Sequence, residues 1–122
     1  MRTISYIILS FIVIASATGC YYDKEEILYP DSACDTTNVR YSTSVAPIIS
    51  ANCNSCHSGS SPSGGFNLDT YVALKVQADN QKLLKAINHE AGVSPMPKNA
   101  SKLSNCNIAI ITQWVAAGTP QN

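Results

Sequence analysis

Two cysteines and a histidine within residues 53–57 have the residue types and the spacing to bind a cofactor. Cys53 and Cys56 are separated by two residues, and His57 follows the second cysteine directly. This C-x-x-C-H pattern is the attachment signature of a c-type haem, in which the two thiols form thioethers with the vinyl groups of one porphyrin. The adjacent imidazole is then held beneath the iron and can ligate it. A C-x-x-C pair alone would also fit a redox disulfide or half a zinc site, and His57 favours haem.

The other axial ligand of the iron is expected from the segment around Met96. Apart from Met1, this is the only methionine in the sequence, and Pro95 and Pro97 flank it. A thioether sulfur is a soft ligand that raises the potential of a His-ligated haem, and the prolines stiffen a non-helical segment. A core methionine that fills a gap is the alternative reading. The alternative ligand is His89, the only other histidine.

Residues 1–19 predict an export signal. Arg2 precedes an apolar run over residues 4–15, and small residues follow it, which is the order found in secretory signals. Residues 17–20, Ala-Thr-Gly-Cys, resemble the lipobox of bacterial lipoproteins, so Cys20 is predicted to carry lipid. An uncleaved membrane anchor is the alternative, but the run is shorter than the roughly 20 residues of a spanning helix. We therefore expect an exported bacterial lipoprotein on a periplasm-facing or cell-surface membrane.

The remaining cysteines, Cys34 and Cys106, predict a disulfide. Cys20 is assigned to lipid and two further cysteines to haem, so an even pair is left over. Haem attachment through C-x-x-C-H takes place outside the bacterial cytoplasm, and oxidising compartments favour disulfides. Two separate thiols are the alternative.

Hydrophobic periodicity predicts an all-α domain over residues 39–122, preceded by a polar tether over residues 20–38. The segment 91–102 is expected to be extended because it contains two prolines and no helical pattern. Helices are expected at four places, residues 44–53, 70–76, 80–88 and 104–117.

Local signals indicate where the first and last of these helices begin. Ser44 is the expected N-cap of the first helix, with Pro47 in its first turn. Ser104 is the expected N-cap of the last helix, and Gly118 and Pro120 follow it as stop signals. The last helix has an expected inner stripe, with Trp114 beside it, formed by Ile108, Ile111 and Val115.

The charge balance excludes one class of partner. The formal net charge is zero at pH 7, so no basic field is present to attract nucleic acid. Nothing in the sequence calls for an obligate oligomer or for a metal other than iron. We expect a monomer whose partners are redox proteins and, through the lipid on Cys20, a membrane.

The order of these features resembles the small class I cytochrome c fold, in which about four helices surround one covalently bound haem. Four stretches are also similar to the planctomycete-type cytochrome c domain, namely residues 64–69 (GGFNLD), 83–89 (LLKAINH), 96–97 (MP) and 103–104 with 114–120 (LS and WVAAGTP). The similarity extends over roughly residues 40–120.

This resemblance implies a haem bound through Cys53 and Cys56, with His57 as the proximal and Met96 as the distal ligand. It also implies that the first and last helices pack against each other near Trp114. In the wider family, a proline carbonyl after the haem motif orients the proximal histidine, and Pro62 is the corresponding residue here.

An electron carrier is the function that these features predict. A haem with histidine and methionine on its two sides has no free coordination position, so a substrate cannot reach the iron. Electron transfer through the porphyrin edge is then the activity left to it. A ligand-binding, sensor or peroxidase-like haem domain is the alternative, and it requires a labile or absent Met96 ligand. A thiol-redox lipoprotein without haem is a third hypothesis, and the histidine after the motif argues against it.

Overall fold

The computed structural model describes residues 34–122, and this part of the chain contains helices and no strands. It has four α-helices, α1 (Ala46–Asn52), α2 (Tyr71–Asp79), α3 (Lys82–Ile87) and α4 (Asn105–Ala116). A π-helical turn (Tyr41–Val45) leads into α1, and a 3-10 turn (Ser63–Gly65) lies between α1 and α2. The predicted all-α fold of about four helices is confirmed for the described residues. The signal segment, Cys20 and the first part of the tether, through residue 33, lie outside them.

Helical structure begins three residues before the predicted start at residue 44. The π-helical turn Tyr41–Val45 comes first and α1 follows from Ala46, so the expected N-cap at Ser44 is wrong. The Ser44 hydroxyl instead accepts a hydrogen bond of 3.3 Å from the backbone N–H of Arg40. Pro47 does lie in the first turn of α1, where its missing N–H costs no helical hydrogen bond.

Helices α2 and α3 divide the middle of the chain differently from the prediction. The Thr70 hydroxyl accepts a hydrogen bond of 3.3 Å from the N–H of Ala73 and caps α2. This helix runs three residues beyond the predicted end, and a 2.9 Å ion pair between Lys75 and Asp79 spans its last turn. The left-handed backbone of Gln81 (φ 62°) then separates α2 from α3, so α3 starts later than the sequence suggested.

Helix α4 contributes the largest side chain of the core. Its N-cap at Ser104 is confirmed, because the hydroxyl accepts a 3.2 Å hydrogen bond from the N–H of Asn107. The predicted stripe needs correction: Ile111 and Trp114 are fully buried, whereas Ile108 is only partly buried. Trp114 is therefore central to the stripe, because the turn before α1 packs on that side of the helix.

The contact between the two ends of the domain is aromatic. The ring of Trp114 lies 5.8 Å from that of Tyr41, in the π-helical turn, and the Tyr41 ring makes an edge contact with Tyr71 at 5.1 Å. The indole N–H of Trp114 donates a 2.9 Å hydrogen bond to the carbonyl of Pro120. Buried aliphatic residues continue this core, among them Val45, Ile49, Leu74, Ile87 and Ile111.

A disulfide ties the start of the described chain to α4. Cys34 and Cys106 are bonded across 72 residues of sequence, with their Cα atoms 5.3 Å apart. Because a cross-link restricts the unfolded chain, a loop of this length is expected to add about 4 kcal/mol to the free energy of unfolding.

Replacing both cysteines with alanine should lower that free energy by about 2–4 kcal/mol, measured by urea denaturation of the haem-loaded protein. A double variant as stable as the parent would contradict this expectation.

Between Cys34 and Asn122, no helix is both long enough and apolar enough to cross a membrane.

Candidate haem site

The C-x-x-C-H motif begins immediately after α1. The N–H of Cys53 still donates to the carbonyl of Ile49 at 2.9 Å, as the last hydrogen bond of the helix. The chain then folds back, because the N–H groups of Cys56 and His57 both donate to the Cys53 carbonyl, at 3.1 and 2.9 Å. This tight turn brings the two thiols and the imidazole close to one another.

All four residues predicted to bind haem line one cavity of about 860 Å³. This volume lies within the range of sites that enclose a cofactor. Cys53, Cys56 and His57 contribute one part of the wall, and Met96 contributes another. The apolar remainder of the wall includes Phe66, Leu68, Leu83, Ile87 and Leu103. Residues more than forty positions apart in sequence therefore meet at a single site.

The segment that carries Met96 is a series of turns and bends, so the predicted extended conformation is wrong. The Met96–Pro97 peptide bond is cis. The N–H of Met96 donates a 3.0 Å hydrogen bond to the carbonyl of Ala86 in α3. This bond attaches the turn to a helix whose buried Leu83 and Ile87 also line the cavity, and it holds Met96 at the cavity wall.

His89, the alternative ligand, does not line the cavity. It is exposed, and its backbone has the left-handed conformation (φ 57°) that ends the helical segment. Its Nε2 atom lies 3.0 Å from the carbonyl oxygen of Met96, at hydrogen-bond distance. His89 therefore contacts the backbone of the predicted ligand and supports the turn that presents it.

His57 is buried, with 6% of its surface exposed, and its ring stacks on Phe66 at 4.6 Å. Its carbonyl accepts a 2.7 Å hydrogen bond from the N–H of Leu68, so the chain on both sides of the imidazole is fixed. The Nδ1 atom is buried and has no hydrogen-bond partner among the described residues. The contact expected between Pro62 and His57 is absent here, because the Pro62 carbonyl accepts from the N–H of Gly65 at 3.1 Å.

No functional role was predicted for Phe66, whose ring stacks on that of His57. Gly64 makes this placement possible, since a Cβ atom there would lie 2.9 Å from the Phe66 ring and the backbone has φ 71°. The available signals were the similarity of residues 64–69 to the planctomycete-type domain and the glycine at position 64, a residue type that tolerates a left-handed backbone. Asn54 and Asn67 also have a buried side-chain oxygen without a described partner, and Asn67 lies in the same stretch.

A comparison with protein-family models matches part of the chain. Residues 53–99, which include the C-x-x-C-H motif and Met96, match one family. The matched family is Planctomycete cytochrome C. The predicted resemblance to the planctomycete-type cytochrome c domain is thereby confirmed over this segment. No curated protein and no solved structure matches the chain.

The matched family is one of haem proteins, and the match covers the segment that carries the C-x-x-C-H motif. The residues present fit a haem in three respects: a cavity of suitable volume, a largely apolar wall, and a buried imidazole without a competing partner. Within residues 34–122, no three histidine, cysteine, aspartate or glutamate side chains are grouped so that they could hold a metal ion.

The two motif cysteines differ in their surroundings. Cys53 is partly buried and Cys56 is exposed, and burial raises the pKa of the Cys53 thiol to about 11. The thiolate is the reactive form of cysteine, and a raised pKa leaves Cys53 protonated at pH 8.

In the folded chain prepared without haem, iodoacetamide should therefore modify Cys56 well before Cys53. The rate at which iodoacetamide modifies Cys53 should continue to increase with pH above pH 9, as measured by peptide mass spectrometry.

The control for this prediction is the same reaction in urea, where unfolding removes the difference in burial and the two rates should converge. Equal rates without urea would show that Cys53 is not protected in the haem-free chain.

Proposed function

We propose that the protein is a membrane-anchored monohaem c-type cytochrome that transfers single electrons in a respiratory or periplasmic or surface redox chain. The observation that carries the proposal is that Cys53, Cys56, His57 and Met96 share the wall of one largely apolar cavity. These are two thiols, one imidazole and one thioether, which together provide two covalent attachment points and two axial ligands for one haem.

Each residue has a distinct role in the proposal. Cys53 and Cys56 would form thioethers and hold one haem c covalently. His57 would be one ligand of the iron, and the stacked ring of Phe66 limits the rotation of its imidazole. Met96 would be the other ligand, and its backbone is held by Ala86 and His89.

The proposed role is electron transfer and not catalysis. A bound haem supplies a centre that accepts and releases one electron. If both His57 and Met96 bound the iron, no position would be left for a substrate. The apolar wall would keep water from the centre and, with the methionine ligand, would favour the reduced state. Cys56 is exposed, so the edge of the group nearest to it would face a partner protein.

The membrane anchor of the proposal rests on the sequence of the first 20 residues. Lipid on Cys20 would keep the domain near the surface of a bacterial membrane, and residues 21–38 would link the two.

Replacing Cys20 with serine should move the protein from the detergent phase to the aqueous phase in a Triton X-114 partition. A parent protein that already partitions into the aqueous phase would overturn the anchor and leave the haem assignment intact.

The test of the haem assignment is expression in a bacterium that matures c-type haem. The parent should retain haem after denaturing electrophoresis and show a six-coordinate low-spin haem c spectrum. The Cys53→Ser, Cys56→Ser double variant should lose covalent haem, whereas Ser55→Ala, between the two cysteines, should keep it. A parent without covalent haem would overturn the proposal.

A further inference from the structure

We propose that Lys82 and Lys98 bind the two propionate carboxylates of the haem at the mouth of the cavity. The proposal rests on the haem binding proposed above and adds the residues that would recognise the charged edge of the group. Both lysines line the cavity and both are exposed, so these residues lie where the cavity meets solvent.

The charges on the cavity wall favour a carboxylate ligand. Among the described residues that line it, Lys82 and Lys98 carry the only permanent charges, and no aspartate or glutamate is present. The titratable groups beside them are His57 and the two motif cysteines, which the proposed haem would take as ligand and attachment points. A haem brings two negative charges, and the wall offers two positive ones.

Among the residues that the structure describes, no acidic side chain forms an ion pair with either lysine. Within residues 34–122, the only ion pair joins Lys75 to Asp79, at 2.9 Å. Propionates cannot enter the apolar part of the wall without a large desolvation cost, so they must remain at the mouth. Lysines on that rim, free of described carboxylates, are the groups that can pair with them there.

The two lysines lie on elements that are joined to each other. Lys82 is the first residue of α3, and Lys98 follows Met96 by two positions. The hydrogen bond from the Met96 N–H to the Ala86 carbonyl, 3.0 Å long, attaches these elements. The ligand turn and the propionate contacts would therefore be positioned together.

The experiment compares two double variants that lose the same charge. Lys82→Gln, Lys98→Gln removes the lysines on the cavity wall. Lys85→Gln, Lys102→Gln removes two exposed lysines that do not line the cavity, one of them on the same helix. The reduction potential of the haem-loaded proteins is measured first. Redox-difference infrared spectra then follow the propionate carboxylate bands, identified by isotope labelling of those carboxyl groups.

The expected result is a shift toward the oxidised form in the cavity variant. A nearby positive charge disfavours the ferric state, so its removal should change the ratio of oxidised to reduced protein about two- to tenfold at fixed ambient potential. The propionate bands should shift in the same variant and remain in place in the control. Lys82→Arg, Lys98→Arg should restore the potential, because it keeps both charges.

Three outcomes would overturn the proposal. Equal shifts in the cavity and control variants would mean that the lysines act as general surface charge. A lower potential with unchanged propionate bands would mean that they act on the iron without contacting the propionates. A parent protein with no covalent haem would overturn both this proposal and the function on which it rests, and the haem content measured beforehand distinguishes that case.

Discussion

Replacing Met96 with alanine should remove the weak far-red sulfur-to-iron band of the oxidised protein and open one axial position of the haem. The ferrous variant should then bind carbon monoxide, which the parent with both axial ligands should not. The reduction potential should fall by on the order of 0.1 V or more, within the roughly 0.8 V range that axial ligands span. Visible spectroscopy and a redox titration of the haem-loaded variant measure these changes.

His89→Ala is the matched control for this prediction. His89 contacts the Met96 carbonyl oxygen at 3.0 Å but does not line the cavity, and the bond from the Met96 N–H to Ala86 remains without it. Its loss should therefore leave the sulfur-to-iron band in place. A spectrum that survives Met96→Ala and changes in His89→Ala would make His89 the axial ligand. A parent protein that is already high-spin and binds carbon monoxide would favour the ligand-binding or sensor function over the carrier.

Replacing Trp114 with alanine should lower the free energy of unfolding by about 3–5 kcal/mol, the usual cost of removing a buried aromatic side chain. Trp114 is fully buried and contacts Tyr41, so α4 would lose its main contact with the turn before α1. Because domains of this size have unfolding free energies of about 5–15 kcal/mol, the loss would be a large fraction of the total. Urea denaturation of the haem-loaded protein measures it.

Two further variants separate the causes of this effect. Trp114→Phe keeps an aromatic ring and loses the hydrogen bond to the Pro120 carbonyl, so its cost should be smaller, about 1–2 kcal/mol. Val72→Ala removes a side chain that is 70% exposed and should change stability by less than about 0.5 kcal/mol. An alanine variant of Trp114 as stable as Val72→Ala would show that the contact to Tyr41 contributes little.

The sequence by itself determined the chemistry of the candidate site. Cys53, Cys56 and His57 are adjacent in the chain, and their spacing alone limits what they can bind. Met96 was identified by its rarity and by the prolines beside it. The helical class of the domain and the cap at Ser104 follow from hydrogen bonds within a few residues, which local patterns encode.

Only the tertiary structure decided which distant groups meet. Met96 reaches the cavity wall, and His89 does not, because the Met96 N–H binds the carbonyl of Ala86 across a turn. Trp114 became the centre of the core because the π-helical turn packs on its side of α4. The sequence also did not indicate that Lys82 and Lys98 line the same cavity. Contacts of this kind depend on where packing brings separate segments together, and spacing along the chain does not specify that.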